Sequence, residues 1–294
     1  MGNARKRADA DAVLDSVRRH SERLTTLADP VRRDEPDAVH QMRVATRRLR
    51  SVLGTYDSVF ARPLANPVRA ELRWLGTVLG DARDEEVLAE RFDALLAAQR
   101  AELVRGPVRH RLVAAHRTGY RTAHEEVVAA LDESRYRDLL AALGELCTGR
   151  RPSGNGSVAK SLRRAYRRLD RAGRDAGLRR GSRESGRQPE PELVHAVRKR
   201  AKALRYAAEA VADSRPKVVR VAAAAEDLQT VLGEHQDAVV AQRHLLAAAD
   251  RARAAGEDTF TYGLLTADEA ERGRSARTAA RDRLRSVRKR RDLL

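Results

Sequence analysis

Apolar residues recur at three- and four-residue spacing along most of the chain, the period of an amphipathic α-helix. Between 37 and 59, Met42, Ala45, Leu49, Val52, Leu53 and Tyr56 fall on one side of a helix that turns about 100° per residue. Strict apolar–polar alternation, the mark of a half-buried strand, is hard to find. The pattern predicts helices near 4–28, 37–59, 62–80, 84–104, 107–130, 134–147, 157–176, 190–213, 215–232, 237–255 and 257–290. Two stretches rich in Gly, Ser and Pro interrupt it: 148–157, read as a linker, and 177–191, read as an exposed, mobile loop. The expected fold is all-α.

The pattern also repeats. Val39-His40-Gln41-Met42-Arg43 is echoed by Val194-His195-Ala196-Val197-Arg198, and Arg47, Leu49 and Arg50 are echoed by Lys202, Leu204 and Arg205. A second echo follows each copy: Thr77-Val78-Leu79-Gly80-Asp81 and Thr230-Val231-Leu232-Gly233-Glu234, with Asp84 then matching Asp237. Two ordered matches at nearly one offset imply an internal duplication. The expected architecture is two pseudo-symmetric helical bundles, 1–147 and 158–294, forming one domain.

Composition fits this reading. Hydrophobic residues make up 42% of the 294, mostly Ala, Leu and Val, and aromatic residues only 3%. Ala and Leu are strong helix formers. No apolar run is long enough to cross a bilayer, and the N-terminus has charge without the apolar core of a signal peptide. The single Cys147 fits a reducing compartment. These features lead to the expectation of a cytoplasmic protein with no membrane partner.

Charge adds a function class. The net charge is +17, and it is lopsided: residues 1–150 hold 26 basic and 23 acidic side chains, residues 151–294 hold 33 and 19. A GC-rich genome accounts for Arg in place of Lys, but not for a net excess of cations. A basic field of this kind concentrates and steers polyanions.

The cations are ordered. In the helix at 37–59, His40, Arg43, Arg47 and Arg50 share an arc of about 80°, opposite the apolar stripe, in a row about 15 Å long. Asp37 is placed to cap this helix, which puts His40 in its first turn, where free N–H groups favour an anion. His195, Arg198, Lys202 and Arg205 form the second copy of the row, with Lys199 beside them. Two further rows lie in the C-terminal half: Lys160, Arg163, Arg164, Arg167, Arg171 and Arg174, and Arg274, Arg277, Arg281, Arg285 and Arg288. A single cation row is usually a solvated face. Solvated helices, however, interleave Glu with Lys or Arg at i,i+4, and these rows carry almost no acids. Like charges at that spacing repel, and an anionic ligand is the simplest compensation. The rows are expected to converge into one basic groove.

Other residues are weaker signals. A lone His is most often structural, but His40 and His195 hold equivalent places three residues before an Arg, which favours a binding role. Asp84 and Asp237 are read as helix caps, and a metal site is disfavoured because no His is spaced to join them. Arg83 is free to reach a ligand or to pair with a carboxylate.

Here the resemblance becomes specific. Residues 39–56, VHQMRVATRRLRSVLGTY, resemble the signature helix of the CHAD family, the conserved histidine α-helical domain. TVLGDARDEEV at 77–87 resembles that family's second hallmark, and VHAVRKRAKALRY and TVLGEHQDAVV resemble their second-half counterparts. The resemblance implies a duplicated helical bundle that binds inorganic polyphosphate on basic surfaces and associates with polyphosphate granules. By position it implies His40, Arg43, Arg47, Arg50, His195, Arg198, Lys202 and Arg205 as binding residues. Some relatives carry an N-terminal CYTH triphosphatase domain with an ExExK start, which is not expected here. The 177–191 loop departs from the family pattern.

The leading expectation is therefore a non-enzymatic polyphosphate-binding protein with no cofactor or metal. Phosphate or sulfate would fit the same cations. So would a nucleic acid, although only Tyr166 and Tyr206 are placed to stack on bases. A metal-dependent phosphohydrolase using His40, His195, Asp84 and Asp237 is a third reading, disfavoured because chain spacing does not bring these residues together.

Overall fold

The computed structural model describes residues 2–60, 62–148, 156–178 and 191–294, and among them it is helical without strands. The helices are α1 (Gly2–Arg32), α2 (Ala38–Thr55), α3 (Arg62–Ala97), α4 (Ala115–Asp132), α5 (Ser134–Thr148), α6 (Val158–Asp175), α7 (Pro191–Glu209), α8 (Val219–Ala254) and α9 (Phe260–Arg288). Most of the expected 177–191 loop and 148–157 linker lies outside the described residues. No described helix is long and apolar enough to cross a membrane.

In α2 the apolar stripe sits where its spacing demands: Met42, Leu49, Leu53 and Tyr56 are fully buried. They join a core that draws on both halves of the chain, from Val13 and Leu24 through Leu143 to Leu204, Leu228 and Leu284. Tyr56, at the end of α2, donates its phenolic hydrogen to the carbonyl oxygen of Ala207 in α7 at 2.6 Å, tying the halves together. Packing runs α1 on α2, α2 on α3 and α3 on α4 in the first half, then α6 on α7, α7 on α8 and α8 on α9 in the second, with α2 against α7 between them.

Two expected breaks are absent. The segments 62–80 and 84–104 were expected as separate helices, but α3 runs unbroken to Ala97; likewise 215–232 and 237–255 are joined in α8. Each of these helices has 36 residues, about 54 Å at 1.5 Å per residue. A mid-helix glycine costs only about 1 kcal/mol. The apolar stripe continues past Gly80 through Ala82 and Leu88, and past Gly233 through Ala238 and Ala241, all buried. Packing therefore carries the helix through. Asp84 and Asp237 are mid-helix residues and cap nothing. The far ends of α3 and α8 meet in a second, smaller core of Phe92, Leu95, Leu112, Leu245, Tyr262 and Leu265.

Helix ends are also specific. Asp37 precedes α2, but its φ is 65°, in the left-handed region, and its side chain makes no cap; it accepts instead from Gln41 Nε2 at 3.1 Å. Ser157 does cap α6, accepting from the Lys160 N–H. Gly177, at φ 62°, ends α6, with the Leu178 N–H reaching back to the Gly173 carbonyl at 3.0 Å.

Candidate functional site

The α2–α7 contact brings the two copies of the motif face to face, with α3 and α8 flanking them. Arg43 and Arg47 from α2 lie close enough to Arg198 and Lys202 of α7 for their charges to act on one another. Arg47 Nε donates to the Tyr206 hydroxyl at 3.0 Å, and Arg47, Arg48 and Arg205 surround the Tyr206 ring. That ring fixes arginines by cation–π attraction.

The seam is a cationic cluster partly removed from water. Burial and the charges of Arg198, Arg47 and Arg43 push the Lys202 ammonium down to about 7, against the pull of Asp237. Arg50 is held below its usual range by burial and then by Arg73, Arg47, Arg43 and Arg69, every one a cation. Arg43 and Arg198 are lowered chiefly by burial. The Nε atoms of Arg198 and Arg69 are buried with no hydrogen-bond partner. Buried charge normally comes paired, because desolvating an ion without compensation costs several kcal/mol.

The histidines sit at the rim of this cluster. Burial and Arg83 keep His40 below its ordinary value, against Asp37; burial and Lys199 do the same for His195. His195 Nδ1 meets Gln236 Oε1 at 3.0 Å, whereas His40 Nδ1 is buried without a partner. Gln236 and Arg83 hold the same place in the repeated segment, and Arg83 is paired with Glu86 at 2.7 Å.

The glycines that looked like helix ends serve the seam. A Cβ on Gly80 would lie 3.7 Å from the Arg43 guanidinium, and one on Gly233 would lie 3.4 Å from that of Arg198. Each arginine therefore lies across the bare backbone of the neighbouring long helix. Asp84 pairs with Arg43 at 3.1 Å, and both Asp84 and Asp237 act on Arg198. Chain spacing was thus misleading: the fold does bring these carboxylates to the seam, as partial counter-charges. Burial raises the Asp237 carboxyl, against the pull of Arg198 and Arg91.

The halves differ at one end. Arg205 is engaged by Glu209 at 2.6 Å and Glu226 at 2.8 Å, which turns a predicted binding residue into a self-neutralised one. At the matching end of the first half, Arg69 and Arg73 on α3 join Arg50 and leave it among cations. Arg69 and Arg73 are not among the expected binding residues. Their i,i+4 spacing beside the apolar stripe of Leu72, Leu75 and Leu79 was the available signal.

The expected single groove is divided. Lys160, Arg163, Arg164, Arg167 and Arg174 of α6 line a separate cleft of about 1030 Å³ with Arg288, Arg291 and the carboxylates Asp170 and Asp292. It shares no lining residue with the seam. Lys199 is exposed beside His195, and Arg171 is exposed outside the cleft. Arg274 and Arg285 pair with Glu271 and Asp282 of their own helix. Arg277 and Arg281 lie on α9 outside the cleft lining. Tyr166 and Tyr206, the two candidate stacking platforms, are 8% and 3% exposed and present no face to a base. Among the described residues no three His, Cys, Asp or Glu side chains cluster as metal ligands. The arrangement is chemically suited to holding phosphate oxygens, because guanidinium forks make bidentate contacts to them.

Comparison with known proteins agrees with this fold. PptA from Streptomyces chartreusis superposes with a TM-score of 0.73 at 22% identity, covering 94% of this chain and 99% of that one. The CHAD domain from the plant Ricinus communis gives a TM-score of 0.71 at 27% identity, covering 94% and 91%. The uncharacterized proteins MT2285 and Rv2226 of Mycobacterium tuberculosis are each 44% identical over 290 residues, covering 96% of this chain and 55% of theirs. The chain thus spans about half the length of the curated relatives it matches. The CHAD domain model matches residues 12–246, which take in both copies of the His–Arg helix, all of α3 and most of α8, and the chain belongs to the CHAD domain family.

Proposed function

We propose that this chain binds inorganic polyphosphate in the seam between α2 and α7, without turning it over, and that it associates with polyphosphate granules in the cytoplasm. The observation that carries the reading is the excess of cations in the seam over its partial counter-charges Asp84 and Asp237: Arg43 and Arg47 act on Arg198 and Lys202 across the α2–α7 contact, the charges that press most on Arg50 are all cations, and burial with three arginines drives Lys202 down to about 7. An extended anion with a charge on every unit offsets that repulsion along the whole row. The CHAD resemblance selects polyphosphate from among the polyanions. The buried tyrosines speak against a nucleic acid, which gains affinity by stacking bases on exposed rings.

The test is titration of the full chain with polyphosphate, single-stranded RNA and duplex DNA at matched salt. Polyphosphate is expected to bind tightest, with log K falling linearly with log salt as counterions are released. Arg43→Ala combined with Arg198→Ala is expected to weaken binding by at least tenfold, since each removes a charge-assisted contact of about 1.5–3 kcal/mol. Tighter binding of either nucleic acid, or full affinity in the double variant, overturns the reading. Phosphate release with Mg²⁺ or Mn²⁺ that is abolished by His40→Ala overturns the non-enzymatic part.

A further inference from the structure

The cleft at α6 is separate from the seam and is built from two directions. One wall is the outer face of α6, whose other face is buried through Leu162, Ala165 and Leu169. The other wall is the end of α9 and the turn that follows it, which contribute Arg288 and Arg291. Two links hold the walls in register. Arg288 Nε meets Asp170 at 3.1 Å, and Arg163 Nε donates to the Leu294 carbonyl at 3.1 Å. Gly173 lets α9 come close, since a Cβ there would collide with Leu284. The result is a cavity of about 1030 Å³ in which cationic side chains outnumber carboxylate side chains seven to two. Arg164, Arg167 and Arg174 on its wall are exposed and make no ion pair among the described residues. None of the cleft's cations is among the charges that press most on Arg43, Arg50, Arg198 or Lys202.

A solvated face does not need a second wall of the same sign. Bringing two cationic walls together costs repulsion that an anion between them reverses. The only aromatic residue of the lining, Tyr166, is buried, so the cleft reads charge and not bases.

We propose that the α6–α9 cleft is a second, independent polyphosphate site, and that one long chain occupies seam and cleft together, so that the protein selects long chains over short ones. Linking two sites through one ligand makes the second contact intramolecular, which raises affinity about 10²–10⁴-fold without any new contact. A short oligophosphate fills each site separately and gains nothing from the pair. This inference rests on the reading of the seam given above.

The experiment uses the full chain with tripolyphosphate and with a polyphosphate of several hundred units, followed by calorimetry. The variants are Arg164→Ala/Arg167→Ala/Arg174→Ala in the cleft and Arg43→Ala/Arg198→Ala in the seam. Circular dichroism confirms that each is folded; the cleft positions are exposed, and a folding defect there is not expected. The wild type is expected to take two tripolyphosphates per chain and each variant one. Long-chain affinity is expected to fall about a hundredfold in the cleft variant, while tripolyphosphate affinity at the remaining site stays unchanged. A cleft variant with wild-type stoichiometry and wild-type length preference overturns this inference and leaves the seam reading standing. A cleft that prefers an acidic peptide to tripolyphosphate also overturns it. A wild type that binds neither phosphate at all removes the seam reading itself.

Discussion

Arg50 and Arg205 hold corresponding positions in the repeated motif, yet Arg205 is clasped by Glu209 and Glu226 while Arg50 is surrounded by Arg43, Arg47, Arg69 and Arg73. The cause lies on the flanking helices. By the offset of the second echo, Arg73 of α3 stands where α8 has Glu226. The seam therefore gathers cations at its first-half end and holds internal ion pairs at the other.

This asymmetry separates two variants that the sequence alone makes equivalent. Arg50→Ala is expected to weaken polyphosphate binding by about tenfold or more, the loss of one charge-assisted contact. Arg205→Ala is expected to change affinity by less than threefold and to alter stability by no more than about 1 kcal/mol, because its carboxylate partners are partly solvated. Parallel titrations and thermal melts check both. Equal losses of affinity in the two variants contradict the asymmetry.

Lys202 gives the site a pH dependence. In the free protein its ammonium loses its proton near pH 7, well below the ordinary lysine value of 10.5. A bound polyanion favours the charged form, so binding near and above neutrality is expected to take up a proton and to weaken as pH rises past 7. Calorimetry in buffers of differing ionisation enthalpy reads that proton directly. Stability has the opposite sense. The unfolded chain holds this proton up to about pH 10.5 and the folded chain only to about 7, so the Lys202 contribution to stability rises with pH across that window and is least below it. Lys202→Met is expected to remove this slope, to stabilise the ligand-free protein below pH 7, and to abolish the proton uptake.

The helical class and the two apolar faces were legible because they follow from local spacing: Met42, Leu49 and Leu53, or Val197, Ala201 and Leu204, need only the helical period to find the core. The seam was legible in its residues but not in its environment. Nothing local says that Arg43 meets Arg198, because that depends on α2 packing against α7. Gly80 and Gly233 misled, since a glycine before an acidic residue has the same local signature whether it ends a helix or makes room for a guanidinium. Glu226 was hidden for a similar reason: it neutralises Arg205 from another helix, where i,i+4 bookkeeping does not look.

His20, on α1, predicts acid sensitivity. Burial, then Arg48, Arg19 and Arg23, lower its pKa to about 4. Below the ordinary value of 6.5 the unfolded chain takes up a proton that the folded chain refuses until about pH 4, so its contribution to stability falls as pH drops through that range. Replacing it with a neutral side chain of similar size, His20→Gln, is expected to flatten the pH dependence of the melting temperature between 6.5 and 4. An unchanged slope in the variant assigns the acid transition to other groups.

The second core has its own electrostatic pin. Glu269 on α9 is fully buried and receives the Arg91 guanidinium of α3, with Nη2 at 2.7 Å and Nε at 3.2 Å from the same oxygen. Arg91 also approaches Glu234 of α8 at 3.7 Å, so one side chain links three helices. Removing one partner of a buried pair strands the other charge, at a cost of about 3–5 kcal/mol, whereas replacing both by apolar groups is close to neutral. Glu269→Ala is therefore expected to destabilise the protein by that amount in denaturant unfolding. Glu269→Leu with Arg91→Met is expected to recover most of the loss. Arg91 and Glu269 lie outside the seam, so the double variant is expected to keep its affinity for short oligophosphate, separating the pin that holds the long helices in place from the cations those helices present.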